Sequence, residues 1–144
     1  MGYRRLFIMR KDLEMSVGKL LAQTCHCAEA YWTNPLRKHC KLSDDESVYS
    51  CEVTISKDIF EKYINNSFTK TICAANNKNH LMKAKFIADE LGLVENIHYG
   101  LIYDKCLTEL TPEENDGTTL TGIWFCPLKD DIAHSISKKY QLYK

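Results

Sequence analysis

Lys19, Gln23 and His26 stand at i, i+4 and i+7, a spacing that stacks an amine, an amide and an imidazole along one stripe of a helix. Ser16 and Gly18 put that stripe at a helix start, where free backbone N–H groups and the positive dipole end favour an anion. Gly18 lets a ligand approach the backbone closely, so Lys19 is placed to hold a phosphate or a developing oxyanion. A solvated helix face has the same spacing, and the stripe alone leaves both readings open. Asp104 ends an apolar run and opens the turn-like stretch Asp104-Lys105-Cys106-Leu107-Thr108. Sites in α/β domains gather where strands end, which makes this acid a candidate general base. Thr108 and the Thr118-Thr119-Leu120-Thr121 group carry hydroxyls able to position water or substrate. An Asx-turn acid and strand-favouring threonines would look the same.

Other chemistries find less support. No GxSxG, HExxH, P-loop or GxGxxG pattern occurs. The seven cysteines are scattered and odd in number, as expected of reduced thiols, several of them small core residues. A metal site from Cys25, His26, Cys27, His39 and Cys40 conflicts with ligand spacing, because Cys-His-Cys on one helix points to different faces. No metal or cofactor is expected. A thiol hydrolase or redox protein using Cys25 or Cys106 stays open as an alternative.

The elements that must hold these residues alternate. Residues 3–10 read as a buried strand and 16–32 as a helix capped by Ser16, with Pro35 beyond its end. On that helix Leu20, Thr24, Cys27, Ala28 and Tyr31 share one side, about 120° from the polar stripe. Residues 34–46 read as a polar, basic loop or frayed helix, 48–56 as a half-buried strand, and 57–64 as a short helix capped by Ser56. Further strands are expected at 69–75, 97–104 and 119–126. Helices are expected at 80–91, capped by Asn79 and closed by Gly92, and at 129–140. The expected fold is α/β, a single domain over residues 1–144.

Length and composition agree: 144 residues, 44% hydrophobic and 26% charged, describe an ordinary globular domain. Formal net charge is zero, so any grip on nucleic acid must come from a local patch rather than bulk charge. The opening apolar run Leu6-Phe7-Ile8-Met9 is too short for a signal core, and nothing approaches the ~20 apolar residues of a membrane span. A cytoplasmic protein without membrane contact is expected.

The segment LFIMRKDLEMSVGKLLAQTCHCA resembles the N-terminal signature of type 2 peptidyl-tRNA hydrolases, a strand followed by R-x-D-L-x-M-x-x-G-K-x-x-A-Q-x-x-H-A. Arg10, Asp12, Leu13, Met15, Gly18, Lys19, Ala22, Gln23 and His26 match it, and Cys27 precedes Ala28 where the family has its last small residue. The likeness resumes over TKTICAANNKNHLMKAKFIADELGL and through Asp104, Thr108 and Pro112. It closes on the K-x-x-L-Y pattern of Lys139, Leu142 and Tyr143, leaving out only about residues 35–55. Three departures stand out. Lys105 and Cys106 replace the alanine and glycine of the family's D-A-G-x-T. A small insertion around residues 113–116 makes Thr119 the best match to its next threonine, with Thr118 or Thr121 possible. The G-I-G-P ending becomes Gly122-Ile123-Trp124-Phe125-Cys126-Pro127, with a tryptophan placed to reshape the cleft.

The resemblance implies a four-stranded mixed β-sheet flanked by helices, usually a homodimer, needing no metal or other cofactor. It implies hydrolysis of the ester between a peptide and tRNA, with Lys19, Asp104, Thr108 and Thr119 as catalytic residues. Gly18, Gln23, His26 and Arg10 are then the substrate-binding residues. Arg4, Arg5, Lys11 and the basic residues 37–41 become candidate contacts to the tRNA backbone. A relative that lost activity with the D-A-G turn, serving as an RNA-binding or protein-interaction module, is the competing expectation.

Overall fold

A computed structural model describes residues 2–144; Met1 lies outside the described residues. Its elements are β1 (Tyr3–Arg10), α1 (Val17–His39), β2 (Lys41–Leu42), β3 (Tyr49–Ser50), α2 (Lys57–Ile59, running on as a π turn, Phe60–Ile64) and β4 (Lys70–Ala75). There follow α3 (Lys78–Glu90), β5 (Tyr99–Asp104), β6 (Thr119–Phe125), β7 (Leu128–Lys129), α4 (Asp130–Ser137) and β8 (Gln141–Leu142). The main sheet is mixed, in the order β5-β6-β1-β4-β8, with β7 also on β1. β1 and β4 are parallel and the other pairs antiparallel. The four long strands match the four-stranded sheet that the resemblance implies, without the fifth strand expected over 48–56; β7 and β8 are two-residue additions that raise the count to six.

Helices on both sides explain why Leu6 to Met9 are all buried instead of alternating. Phe7 and Met9 pack with Cys27 of α1 and with Trp124. Leu6 and Ile8 face the opposite way, against Leu81, Ala84 and Ala88 of α3 and Ala133 and Ile136 of α4. Each of the large ones, such as Leu6, Ile8, Leu81 and Ile136, contributes about 1.5–3 kcal/mol, and together they fix the register of the central strand. Gly122 on β6 is where Met9 crosses, since a Cβ there would meet its Sδ at 2.7 Å.

Several expected boundaries shift. Helix α1 runs through Pro35 to His39. Proline removes one N–H and crowds one carbonyl but does not stop later residues from bonding, and the Cys40 amide still reaches Leu36 O. Basic Arg37, Lys38 and His39 also suit the dipole's negative end. The half-buried strand expected over 48–56 reduces to Tyr49–Ser50, paired with Lys41–Leu42 in a hairpin apart from the main sheet. Tyr49, Val53 and Ile55 are exposed; β8 covers the edge of β4, the next strand in the chain, so the alternating segment does not pair there. The cap of α3 is Asn77, whose side chain accepts from the His80 amide at 2.8 Å, so Asn79 lies within the first turn. Gly92 does close that helix in the left-handed region, at φ +80°.

Arg5 is no surface cation. It is fully buried and donates from Nε to Phe125 O (2.9 Å), from Nη1 to Ala28 O (2.7 Å) and from Nη2 to Cys27 O (3.2 Å), which ties β1 to β6 and to the middle of α1. The guanidinium also lies over the Phe7 ring, 4.7 Å from its centroid.

Candidate active site

The site sits where α1 begins and β5 ends. Ser16 caps α1, its hydroxyl accepting from the Lys19 amide. Cys27 and Leu20 press the helix onto the sheet, which turns Lys19 and Gln23 toward the end of β5. There Lys19 Nζ lies 2.7 Å from Asp104 Oδ1 and 3.4 Å from Thr108 Oγ1. Gln23 Nε2 donates to the same Oδ1 at 3.1 Å, and the Cys106 amide donates to Oδ2 at 2.9 Å. The Lys19 and Asp104 side chains retain 14% and 10% exposure, enough for water to reach both.

Burial pushes the Asp104 carboxyl up. The hydrogen bond from Lys19, the Cys106 amide and the nearby charges of Lys19 and His26 outweigh it and hold the carboxyl below its ordinary value. Asp104 is therefore ionised at neutral pH. Of a carboxylate's roughly four lone-pair sites, Lys19 and Gln23 fill two on Oδ1 and Cys106 fills one on Oδ2. One position on Oδ2 is left to accept from a further group.

A slip in strand pairing makes this geometry possible. Ile102 pairs with Gly122 but Tyr103 pairs with Leu120, so Thr121 is an extra residue on β6. The bulge shifts the alternation: Gly122 and Trp124 lie on the α1 side, and Thr121 now turns that way too. Its hydroxyl donates to Gln23 Oε1 at 2.6 Å, which leaves the amide NH₂ for Asp104. The position opposite Asp104 goes to Thr119. Its hydroxyl is fully buried, donates to Thr111 O at 2.8 Å and accepts from the Glu113 amide at 3.0 Å. Thr119 thus ties down the base of the loop at residues 105–118, while Thr121, one of three threonines left open by the sequence, meets the polar stripe.

The remaining expected residues separate. Gly18 is exposed, with nothing within 4 Å of where a Cβ would stand, so the helix start is open there. His26 is exposed, a turn further along α1. Arg10 uses all five of its N–H donors, on Asp12, Glu113 and the Leu120 carbonyl. The sequence reading missed Glu109, whose carboxylate accepts from Ser16 N (2.9 Å) and Ser16 Oγ (2.6 Å), and so takes part of the anion-favouring helix start. No motif announces it; an acid in the loop after Asp104 was the available signal.

Cys106, which stands where the resembled D-A-G-x-T pattern has its glycine, has φ +56°, in the left-handed region. A residue with a Cβ is strained there by about 1–2 kcal/mol. Cys106→Gly removes that strain but loosens the unfolded chain, for a net stabilisation expected near 0.5–1 kcal/mol. Thermal unfolding should shift upward by a few degrees; a lower midpoint would contradict the strain. Cys106 Sγ faces Thr119 Oγ1 at 3.4 Å and the Asp104 carbonyl at 3.5 Å. Cys25 is exposed, and burial pushes the Cys27 thiol up to about 12. No group of three metal-binding side chains gathers among the described residues, and none of the described helices is long and apolar enough to cross a membrane.

Comparison with known proteins adds ancestry to this geometry. Residues 3–143 match the family described as peptidyl-tRNA hydrolase PTH2. A curated peptidyl-tRNA hydrolase of Thermoplasma acidophilum is 25% identical over 139 residues, covering 96% of this chain and 97% of that one. One from Thermococcus sibiricus is 26% identical over 145 residues, covering 97% of each. Among solved structures, a protein of unknown function from Agrobacterium tumefaciens strain C58 aligns over 100% of this chain and 99% of its own, with TM-score 0.56 and 11% identity. That last likeness concerns the fold alone.

Proposed function

The chain belongs to the PTH2 family of peptidyl-tRNA hydrolases, and from that premise we propose that it cleaves the ester joining a peptide or N-blocked aminoacyl group to tRNA, recycling tRNA from prematurely released peptidyl-tRNA. The observation that carries the reading is the 2.7 Å approach of the Lys19 amine to the Asp104 carboxylate at a solvent-reachable site.

Ester hydrolysis needs a positioned water, a stabiliser for the oxyanion and a proton for the departing ribose oxygen. The open position on Asp104 Oδ2 suits the water, and the exposed Thr108 hydroxyl is near enough to Lys19 to help hold it. Water attacks the carbonyl carbon, and the Lys19 ammonium, which has a third N–H free of Asp104 and Thr108, stabilises the oxyanion. As the C–O bond to the ribose breaks, the proton released by water passes by way of Asp104 to the ribose oxygen. A carboxylate held below its ordinary value is a weak proton acceptor. Asp104 accordingly orients the water first and takes its proton only as the new C–O bond forms.

Gln23 positions Asp104, and Thr121 positions Gln23. Thr119 and Arg10 act at one remove: Thr119 fixes the loop, and Arg10 joins Asp12, Glu113 and the start of β6. His26 and Gly18 border the site and remain open to substrate. We extend the reading to a homodimer acting in the cytoplasm; the family resemblance supports the first and the seven unpaired cysteines the second.

The test is release of the acyl group from N-acetyl-aminoacyl-tRNA, with free aminoacyl-tRNA in parallel. Catalysed release from the blocked substrate is expected. Release no faster than in buffer would overturn the reading and favour an RNA-binding module that has lost its chemistry.

A further inference from the structure

We propose that the groove between α1 and the free edge of β5 receives the single-stranded 3′ end of the RNA, with phosphates against Arg37 and Lys105 and a base against Tyr103. The inference rests on the ester-hydrolase reading and states where the nucleotide part of that substrate runs.

The groove has a volume of about 530 Å³. His26 and Arg37 line it from α1, Tyr103 and Lys105 from β5 and the residue after it, and Trp124 from below. His26 and Arg37 are eleven positions apart, about 16 Å along a helix at 1.5 Å per residue. That length takes a few stacked nucleotides at about 3.4 Å each. The groove also leads to the ester site: Lys105 directly follows Asp104, and His26 stands on the same stripe as Lys19 and Gln23. A strand lying in it would deliver its terminal ribose to the Lys19–Asp104 pair.

Charge selects this side of the molecule. Arg37 and Lys105 face a single acid, Glu29, in the groove. Across Tyr103 lies a second hollow, of about 360 Å³, lined by the acids Glu114 and Asp116 and by no cation; Glu114 is paired with Lys78. Tyr103 borders both and is 45% exposed. A phosphate chain meets two lining cations on one side of that ring and none on the other, while the ring offers a base a stacking surface that any of the four bases can use. A net-neutral protein gains an RNA site in this way, by gathering cations on one side of an exposed aromatic ring. Among the described residues β5 ends the sheet with one edge unpaired beyond Tyr99, which bridges to Glu95; an extended peptide added to that edge would not need the cations, and it is the competing occupant.

The experiment measures hydrolysis of N-acetyl-aminoacyl-tRNA by the full chain across a salt series. Arg37→Glu should raise KM about tenfold with kcat within twofold, and should reduce the salt slope of kcat/KM by about one. Tyr103→Ala should raise KM several-fold, and Tyr103→Phe should restore it, because stacking needs the ring and not the hydroxyl. Lys57→Glu makes the same charge change on exposed α2 and should leave KM and slope as in wild type. If Arg37→Glu matches wild type in KM and slope, or if Lys57→Glu weakens binding equally, the groove assignment is wrong while the hydrolase reading stands. A KM that tracks peptide length and ignores Arg37 assigns the groove to the peptide and also overturns it. If wild type itself releases nothing, both readings fall together.

Discussion

Asp104→Asn and Lys19→Ala should each lower kcat by about 10²–10³ while leaving the circular dichroism spectrum and unfolding midpoint close to wild type. The magnitude is that of losing one preorganised electrostatic group at a reacting centre. Asparagine keeps the size of Asp104 and can still accept at Oδ1, but it cannot carry the negative charge that orients water or take its proton. Alanine at 19 removes the cation facing the oxyanion. Both side chains keep contact with water, so neither truncation opens a dry cavity, and the fold should tolerate each. The pH profile distinguishes the proposed role from that of an ordinary general base. Lys19, Cys106 and His26 hold the Asp104 carboxyl below its ordinary value. Its folded-state value is thus lower than the unfolded one, near 3.9. Asp104 therefore stays ionised until pH falls through the depressed folded value, below the ordinary carboxylate range. Rate should therefore show no acid limb attributable to Asp104 between about pH 5 and 7, the range to which buried carboxylate bases are often raised. A limb in that range that disappears in Asp104→Asn would contradict the electrostatics of the site.

Arg5→Leu should cost about 3 kcal/mol of stability, the largest effect expected outside the active site. A buried guanidinium holds three backbone carbonyls, two on α1 and one at the end of β6. Removing it leaves acceptors without that donor in a dry interior, at roughly 1 kcal/mol or more each, together with some unfilled volume. Urea unfolding should show a lower midpoint with an unchanged m-value. A change below about 1 kcal/mol would mean that water or a packing shift replaces the guanidinium. Arg5→Lys should fall between the two, since one ammonium cannot span carbonyls on two elements as a planar fork does. The same change should reduce activity only through the fraction folded.

This arginine also marks what the sequence does not disclose. Arg4 and Arg5 are neighbours of one type at the start of an apolar strand, and a linear reading offers both as surface cations. Burial of Arg5 follows from carbonyls brought in by α1 and β6, more than 20 and 100 residues away. Helical spacing put Lys19 and Gln23 on a common face and the end of an apolar run singled out Asp104; the structure brings these three together, while His26 of the same stripe stays exposed. Which threonine meets them was not legible. That choice turns on one extra residue in the pairing of β5 with β6, and a bulge leaves no mark in the alternation of such a short strand. Residues 48–56 show the opposite failure, a regular alternation whose next strand in the chain, β4, is already edged by β8. Proline 35 misplaced the end of α1 by about two turns, since the helix lost one hydrogen bond and continued.

The double variant Lys19→Ala/Asp104→Asn tests the central claim most directly, through its kcat/KM on N-acetyl-aminoacyl-tRNA. Side chains 2.7 Å apart that act on one water and one carbonyl form a unit, and losses within a unit do not multiply. The double variant should fall within about tenfold of the weaker single variant. A loss near the product of the two, about 10⁵ from singles of this size, would show that the two groups act independently and contradict the account.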